Sequence, residues 1–337
     1  MTVRGRVALG SLAPLLALGC GPGTPDARAP VSFTIPAGSS FDQVIDTLTT
    51  RGLITFPLGF EVAARLRGDD REIRAGSYRV PDDIGWIPLL DHLVVGRVVT
   101  VPLTIPEGFT LRQIAPRVAE LTGVPVREVE RRLEDPDAAG QWSVPGPTLE
   151  GYLFPETYRF APEVPVDRVV HAMVEGHRRF WTAERLARAT ELGLSRREIT
   201  TLASIIQGEA RRIEEMPTIS GVFHNRLRLG YLLQADPTVQ YALGGRRDPL
   251  LYSDIDSVAN HPYNTYTQPG LPPGPIGAPG EAALIAALEP ADVEFLYFVA
   301  RPDGSHTFTR SLVEHNRARI EAQRAWDALD RAGREAP

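Results

Sequence analysis

Apolar and polar residues alternate in two stretches of the chain, and apolar residues at helical spacing follow each stretch. The alternation runs over 31–35 and again over 99–105, and both stretches end at an Ile-Pro pair that leads into a glycine. After each turn, over 41–48 and 111–118, apolar residues recur three or four positions apart. Such spacing is typical of an amphipathic helix. Both copies therefore predict a strand, a Pro-Gly turn and a helix.

The segment between the two copies predicts a strand over 76–80 and a short helix over 86–95. Two copies are too few for a solenoid, which needs about three or more units. We therefore predict one small α+β module over 31–100. Small strand–helix modules of exported proteins often bind glycan, but a spacer that holds the rest of the chain off a membrane explains this segment equally well.

Composition predicts the remaining boundaries. Residues 21–30 are rich in Pro and Gly and predict a linker with nothing to bury. Residues 101–147 hold the second strand–helix unit and a connector, in which 136–147 turn to Asp, Gly and Pro. A larger, mixed α/β domain is predicted over 148–330, so the fold class is α+β.

A single acidic residue interrupts the apolar face of one predicted helix. Ser195 and Glu198 have the spacing of a capping box and predict the start of that helix. At about 100° per residue, the apolar residues of 199–213 fall in one arc, and Glu209 lies among them. The other polar residues fall outside the arc: Thr200, Thr201, Ser204, Gln207, Gly208, Arg211 and Arg212.

The position of Glu209 has two interpretations. A carboxylate among apolar side chains is unfavourable unless it is paired or protonated, and apolar neighbours raise its pKa. A raised pKa is what a carboxylic acid needs to donate a proton near neutral pH. The alternative is a structural ion pair with Arg212 or with another arginine, and the helix alone does not decide between them.

Several later segments combine aromatic, amide and carboxylate side chains on loops that contain Pro and Gly. They are 150–158, 233–239, 261–266 and 270–276, together with 222–227 on a helix that should end near Gly230. Sugars offer apolar ring faces to aromatic side chains and hydroxyls to amides and carboxylates. The proline-rich stretch could be a rigid connector, but residues suited to ligand contact flank it. We therefore favour a carbohydrate-binding cleft.

Composition excludes other chemistries. The net charge of −6 gives no basic surface for nucleic acid. The 7 histidines include no pair four residues apart on one helix, and the single cysteine rules out a cysteine-based zinc site. A glycine-rich phosphate loop after a strand and a Gly-x-Ser-x-Gly elbow are both absent. We expect neither a cofactor nor a metal.

The N-terminal 20 residues have the layout of an export signal. Arg4 and Arg6 precede an apolar stretch over 7–18, which is shorter than the ~20 residues that span a bilayer. The lone Cys20 follows a small residue, which favours a lipoprotein signal, although Ala17 stands where leucine is preferred. An uncleaved anchor and a plain signal with an incidental cysteine are the alternatives. In each case the rest of the chain is exported.

Taken in order, these segments resemble the endolytic murein transglycosylase, or YceG-like, family. The resemblance is close over 148–316 and holds in outline over 31–147. The matching segments are EGYLFPETY (150–158), LASIIQGEA (202–210), VFHNRL (222–227), LQADPTV (233–239), PYNTY (262–266), GLPPGPI (270–276), YFVA (297–300), HTF (306–308) and EHN (314–316).

The resemblance implies a lyase, anchored to the membrane by its N-terminus, whose catalytic domain lies outside the cytoplasm. Such an enzyme breaks MurNAc–GlcNAc bonds in nascent peptidoglycan strands, leaves 1,6-anhydro-MurNAc ends and so terminates elongation. The resemblance further implies a LysM-like module over 31–100, a glycan-binding cleft in the catalytic domain and a peptidoglycan synthase complex as partner. Two features depart from the family, which often has an acidic residue at the position of Gln207 and usually has a full membrane-spanning helix.

Carried onto this sequence, the catalytic glutamate of the family is Glu209, which acts first as acid and then as base. Eight residues are candidates for binding substrate or stabilising the transition state: Glu150, Tyr152, Asn225, Gln234, Asp236, Tyr263, Asn264 and Tyr266. A lysozyme-like muramidase with Asp236 or Glu150 as second carboxylate is one alternative. A non-catalytic scaffold that binds peptidoglycan is another.

Overall fold

The computed structural model describes residues 29–335, which divide into two compact units at Val99 and Thr100. The predicted signal with Cys20, and most of the predicted linker, lie outside the described residues. Within 29–335 there is no helix with the length and apolar character needed to cross a membrane.

The first unit consists of one antiparallel strand pair and three helices. Strand β1 (Val31–Ile35) pairs with β2 (Gly76–Val80) so that Val31 lies opposite Val80. The helices are α1 (Phe41–Thr50), α2 (Pro57–Arg67) and α3 (Trp86–Val95). The predicted strand over 76–80 and the predicted helix over 86–95 are confirmed. The inward faces of these elements form a core of their own that includes Phe33, Leu48, Phe60 and Leu90.

The second unit has two antiparallel strand pairs. Strand β3 (Val101–Thr104) pairs with β4 (Thr157–Phe160), and β5 (Tyr297–Ala300) pairs with β6 (His306–Thr309). Because β3 and β4 share a sheet, residues 136–147 lie within one unit, although their composition predicts a boundary.

Helices make up most of the second unit. The first five are α4 (Leu111–Thr122), α5 (Val126–Leu133), α6 (Ala138–Gln141), α7 (Val166–Phe180) and α8 (Ala183–Glu191). The others are α9 (Arg196–Glu209), α10 (Met216–Leu229), α11 (Asp236–Ala242), α12 (Tyr252–Ser257), α13 (Glu281–Leu288) and α14 (Leu312–Glu335). Helix α10 ends at Gly230 in the left-handed conformation, as predicted.

The two sequence copies fold alike. In each, a strand leads through a turn with a left-handed glycine, Gly38 or Gly108, into a helix that begins with a capping box. Ser40 and Gln43 form the first capping box, and Thr110 and Gln113 form the second. The internal repeat is therefore a repeat of local structure, confirmed in both copies.

Helix α9 is more deeply buried than its sequence pattern predicts. It packs against α8, α10, α11 and α13, and Thr200, Thr201 and Ser204 are at most 4% exposed. Their hydroxyls donate to carbonyl oxygens of their own helix, which satisfies them without water. These three residues fall outside the apolar arc that the sequence predicts, and they are buried all the same.

Candidate active site

Glu209 is the last residue of α9 and opens onto a cleft of about 1280 Å³. The capping box of Ser195 and Glu198 begins the helix as predicted. The helix ends before Ile213, which is 62% exposed and not part of the apolar face that the sequence predicts. The glutamate thus lies at the junction of a buried helix and an open groove.

The segment 276–280 fixes the C-terminal turns of α9 within the second unit. The Ser204 hydroxyl accepts a hydrogen bond from the Ile276 N–H, and the Gln207 side-chain oxygen accepts one from the Gly280 N–H, both at 3.0 Å. On its other side, the segment exchanges two backbone hydrogen bonds of 2.7 and 2.8 Å with the turn at Gly108 and Phe109. These contacts make α9 and the turn of the second copy parts of one rigid wall.

The surroundings of Glu209 favour its protonated form. Burial, followed by the nearby negative charge of Asp236, raises the pKa of Glu209 to about 8. The backbone N–H of Asp236 and the positive charge of Arg226 oppose this shift without cancelling it. Near neutral pH the carboxyl therefore holds the proton that an acid catalyst must give away.

The alternative interpretation of Glu209 is a structural ion pair with Arg212 or another arginine, and the ion pairs within residues 29–335 do not include one with Glu209. Arg212 pairs with Asp303 at 3.6 Å, and its guanidinium also donates to the Asp303 carbonyl oxygen at 2.6 Å. This contact turns the arginine toward the loop between β5 and β6. Glu209 is left facing the cleft.

Asp236 lies beside Glu209 as the first residue of α11. The turn before it includes Gln234, which is left-handed with φ of 51°. Pro237 packs so closely over Gly208 that a Cβ at Gly208 would lie 2.7 Å from the proline Cβ. The Tyr266 hydroxyl donates a hydrogen bond to the exposed Asp236 carboxylate. The structure thus brings Glu209, Asp236 and Tyr266 together.

Glu150 is a second acidic group with a raised pKa in the cleft wall. Its carboxyl is 4% exposed and accepts hydrogen bonds from the Leu111 N–H, at 3.1 Å, and from the Tyr241 hydroxyl, at 3.3 Å. Burial raises the pKa of Glu150 to about 7, although both hydrogen bonds pull it down. The ring of Tyr241 packs on that of Tyr263, with centroids 4.9 Å apart. The sequence reasoning selected Tyr263 and missed Tyr241, although Tyr241 stands only five residues after Asp236.

Four other candidates lie where they serve the fold. The Tyr152 ring is fully buried against His177, with centroids 5.0 Å apart. The amide of Asn225 donates to the carbonyl oxygens of residues 293 and 295, and the fully buried amide of Asn264 donates to those of residues 255 and 258. The Gln234 side chain accepts a hydrogen bond from Arg226 at 3.3 Å. The cleft lining includes none of these four, and their contact with substrate stays a prediction.

Arg226 is a residue that the sequence reasoning missed. Its guanidinium is buried and donates to the carbonyl oxygens of Leu232, Leu233 and Leu296 at 2.6 to 3.1 Å. It also lies over the Tyr297 ring, 5.1 Å from the centroid. Arg226 therefore ties α10 to β5 and to the turn that carries Asp236, and its positive charge acts on Glu209. An arginine on a helix normally predicts exposure, so no signal beyond its place in the 222–227 segment marks Arg226.

Between residues 29 and 335, no group of three or more His, Cys, Asp or Glu side chains is placed to hold a metal ion. The groups that the site offers to a substrate include the carboxyl groups of Glu209, Asp236 and Glu150. A carboxylic acid with a pKa near 8 beside a carboxylate suits protonation of a leaving group next to developing positive charge.

Known proteins resemble this chain along most of its length. The model of the YceG-like family matches residues 33–321. An endolytic murein transglycosylase of Bacillus subtilis is 31% identical over 310 residues, which cover 87% of this chain and 85% of that protein. One of Streptococcus pneumoniae is 28% identical over 317 residues, but the match spans only 57% of its length.

A solved structure has the same fold. The crystal structure of a YceG-like protein of Listeria monocytogenes is 32% identical and superposes with a TM-score of 0.59, covering 86% of this chain and 98% of that one. The fold similarity thus extends over both units and includes the cleft-bearing one. Because the family model covers most of the chain and the relatives align along nearly its whole length, this chain belongs to the YceG-like family.

Proposed function

We propose that this protein is an endolytic lytic transglycosylase that cleaves the MurNAc–GlcNAc bond within peptidoglycan strands. The observation that carries the proposal is Glu209, a carboxylic acid with a raised pKa that lines a large cleft. The cleft exceeds the ~300–1,000 Å³ of common small-ligand pockets, which suits a polymer that enters as several sugar residues. The names of the relatives, endolytic murein transglycosylases, support the same reaction.

The reaction needs a single acid–base group. Glu209 donates its proton to the glycosidic oxygen as the bond from that oxygen to C1 of MurNAc breaks. The C6 hydroxyl oxygen of the same MurNAc then bonds to C1, and its proton passes to the Glu209 carboxylate. The products are a GlcNAc hydroxyl and a 1,6-anhydro-MurNAc end, water is not consumed, and Glu209 regains its starting state.

The finer features are proposals that rest on the resemblance. The enzyme is proposed to act on nascent strands beside a synthase complex and so to end their elongation. Acylation of Cys20 is proposed to anchor it to the membrane, with the catalytic domain on the extracytoplasmic side. The strand pair and three helices of the first unit have the size of a small LysM-like module, which either binds glycan or serves as a spacer.

Product analysis tests the proposal directly. Purified protein acting on glycan strands should release fragments that end in 1,6-anhydro-MurNAc, as read by mass spectrometry. A muramidase, with Asp236 or Glu150 as its second carboxylate, would leave reducing ends heavier by one water. A scaffold would bind strands and leave their length unchanged. Either of these outcomes would reject the transglycosylase.

The rate should depend on pH through Glu209. The carboxyl donates its proton only when protonated, and its pKa is about 8, so the rate should fall as the pH rises through about 8. Initial rates of release of anhydro ends between pH 6 and 10 measure this limb. Circular dichroism at each pH checks that the protein stays folded. A rate that stays level to pH 10, or increases, would contradict the assignment of the acid.

A further inference from the structure

We infer that Asp236 is a second catalytic carboxylate, which Tyr266 holds in place and which stabilises the positive charge that develops on the sugar during cleavage. The inference rests on the proposed function and assigns a role within it. The geometry of the site singles out Asp236 among the eight candidates that the sequence predicts. The muramidase alternative would instead make the same residue a base or nucleophile.

The backbone at Asp236 is fixed from two sides. The Thr265 carbonyl oxygen accepts from the Gln234 N–H, and the Thr265 hydroxyl accepts from the Ala235 N–H, both at 3.0 Å. The same hydroxyl lies 2.8 Å from that of Thr238, and all three Thr265 contacts are buried or partly buried. The N–H of Asp236 is close enough to the Glu209 carboxyl to act on its pKa, and both residues line the same cleft. The turn that carries Asp236 is therefore held in place beside Glu209.

The side chain of Asp236 is fixed as well. Its carboxylate accepts a hydrogen bond from the Tyr266 hydroxyl, and the Tyr266 N–H donates to the Asn264 side-chain oxygen at 3.0 Å. Asn264 is itself buried and bound to two backbone carbonyl oxygens. Asn264 thus holds the backbone of Tyr266, two residues later, and the Tyr266 hydroxyl contacts Asp236. Tyr266 is therefore a positioning residue.

Two charged side chains on neighbouring helices act on the Glu209 carboxyl. Asp236 on α11 raises the pKa of Glu209, Arg226 on α10 lowers it, and Tyr266 contacts Asp236. Asp236 is exposed to the cleft, so a bound sugar can approach its carboxylate directly. When the glycosidic bond breaks, positive charge spreads over C1 and the ring oxygen. A carboxylate already held there stabilises that charge without reorganising.

The test replaces the charge and keeps the shape. Asp236→Asn retains the backbone N–H to Glu209 and an oxygen for Tyr266, so only the negative charge is lost. We expect kcat for release of anhydro ends to fall by about 10²–10³-fold, the range for loss of one electrostatic group. The alkaline limb of the pH profile should also move to lower pH, because loss of the neighbouring charge lowers the pKa of Glu209. Asp292→Asn, an exposed residue outside the cleft, is the matched control and should behave as wild type.

A second variant covers the case in which Asp236→Asn does not fold. Tyr266→Phe removes the hydroxyl that holds the carboxylate and should lower kcat by about tenfold or more while KM changes little. Unchanged kcat and an unmoved alkaline limb in the folded variants would overturn the role of Asp236 while wild type still makes anhydro ends. If wild type makes reducing ends, or no new ends, the proposed function itself fails.

Discussion

Replacing Glu209 with glutamine should stop the release of anhydro-ended fragments from glycan strands. Glutamine has nearly the same shape as a protonated glutamic acid but cannot give its proton to the leaving oxygen. Proton transfer by a positioned side chain contributes about 10²–10⁴-fold, so the rate should fall by at least that factor. Mass spectrometry of soluble fragments from purified strands measures the loss.

The glutamine variant should fold as well as wild type. Because burial keeps Glu209 protonated near neutral pH, a neutral amide replaces a neutral acid. Glu214→Gln, five residues later and exposed, is the matched control and should retain full activity. A Glu209→Gln protein that still gives a wild-type yield of anhydro ends would remove this residue from the mechanism.

Replacing Arg226 with methionine should lower the free energy of unfolding by about 3 kcal/mol or more. Methionine fills much of the same space but leaves the carbonyl oxygens of Leu232, Leu233 and Leu296 without their donor. A buried polar group that loses its partner is unfavourable by about 1–3 kcal/mol. Guanidinium denaturation of the whole chain, followed by tryptophan fluorescence, measures the change.

Arg228 provides the control for this experiment. It lies on the same helix, is exposed, and makes a hydrogen bond to the Asn225 side chain at 3.2 Å. Arg228→Met should therefore change the stability by no more than about 0.5 kcal/mol. Equal denaturation midpoints for the two variants would show that the buried guanidinium of Arg226 contributes no more to stability than the exposed one of Arg228.

The local elements could be predicted because their signals are local. The capping box of α9, the helix over 86–95 and the end of α10 at Gly230 each depend on a few adjacent residues. The burial of Thr200 and Ser204 could not be predicted, because it depends on four helices that pack around α9 and on hydroxyls that bond to their own backbone. Amphipathic spacing predicts the buried residues of a helix that is covered on one face. Helix α9 is covered by several helices, so residues outside its apolar arc are buried too.

Some residues of the candidate site could likewise be predicted from the sequence, and others could not. The sequence predicts Glu209 as a site residue because a carboxylate among apolar side chains is unfavourable unless it is paired or protonated. Amides are harder to assign from sequence, since Asn225 and Asn264 donate to backbone carbonyl oxygens with the same groups that could bind a sugar. The role of Arg226 could not be predicted, because its partners are backbone carbonyl oxygens that no sequence pattern marks.

The turns of the two strand–turn–helix copies differ in how closely other residues pack around them. A side chain at Gly38 would meet nothing within 4 Å, whereas the Gly108 N–H bonds to Ala278 and its carbonyl oxygen leaves no room for a side chain at Gly277. The first turn therefore has room for a label at the exposed Ala37, although Gly38 itself must remain glycine because its φ of 81° strains any other residue. The same change at the second turn would push on the segment that fixes the end of α9, and so would shift the proton donor itself.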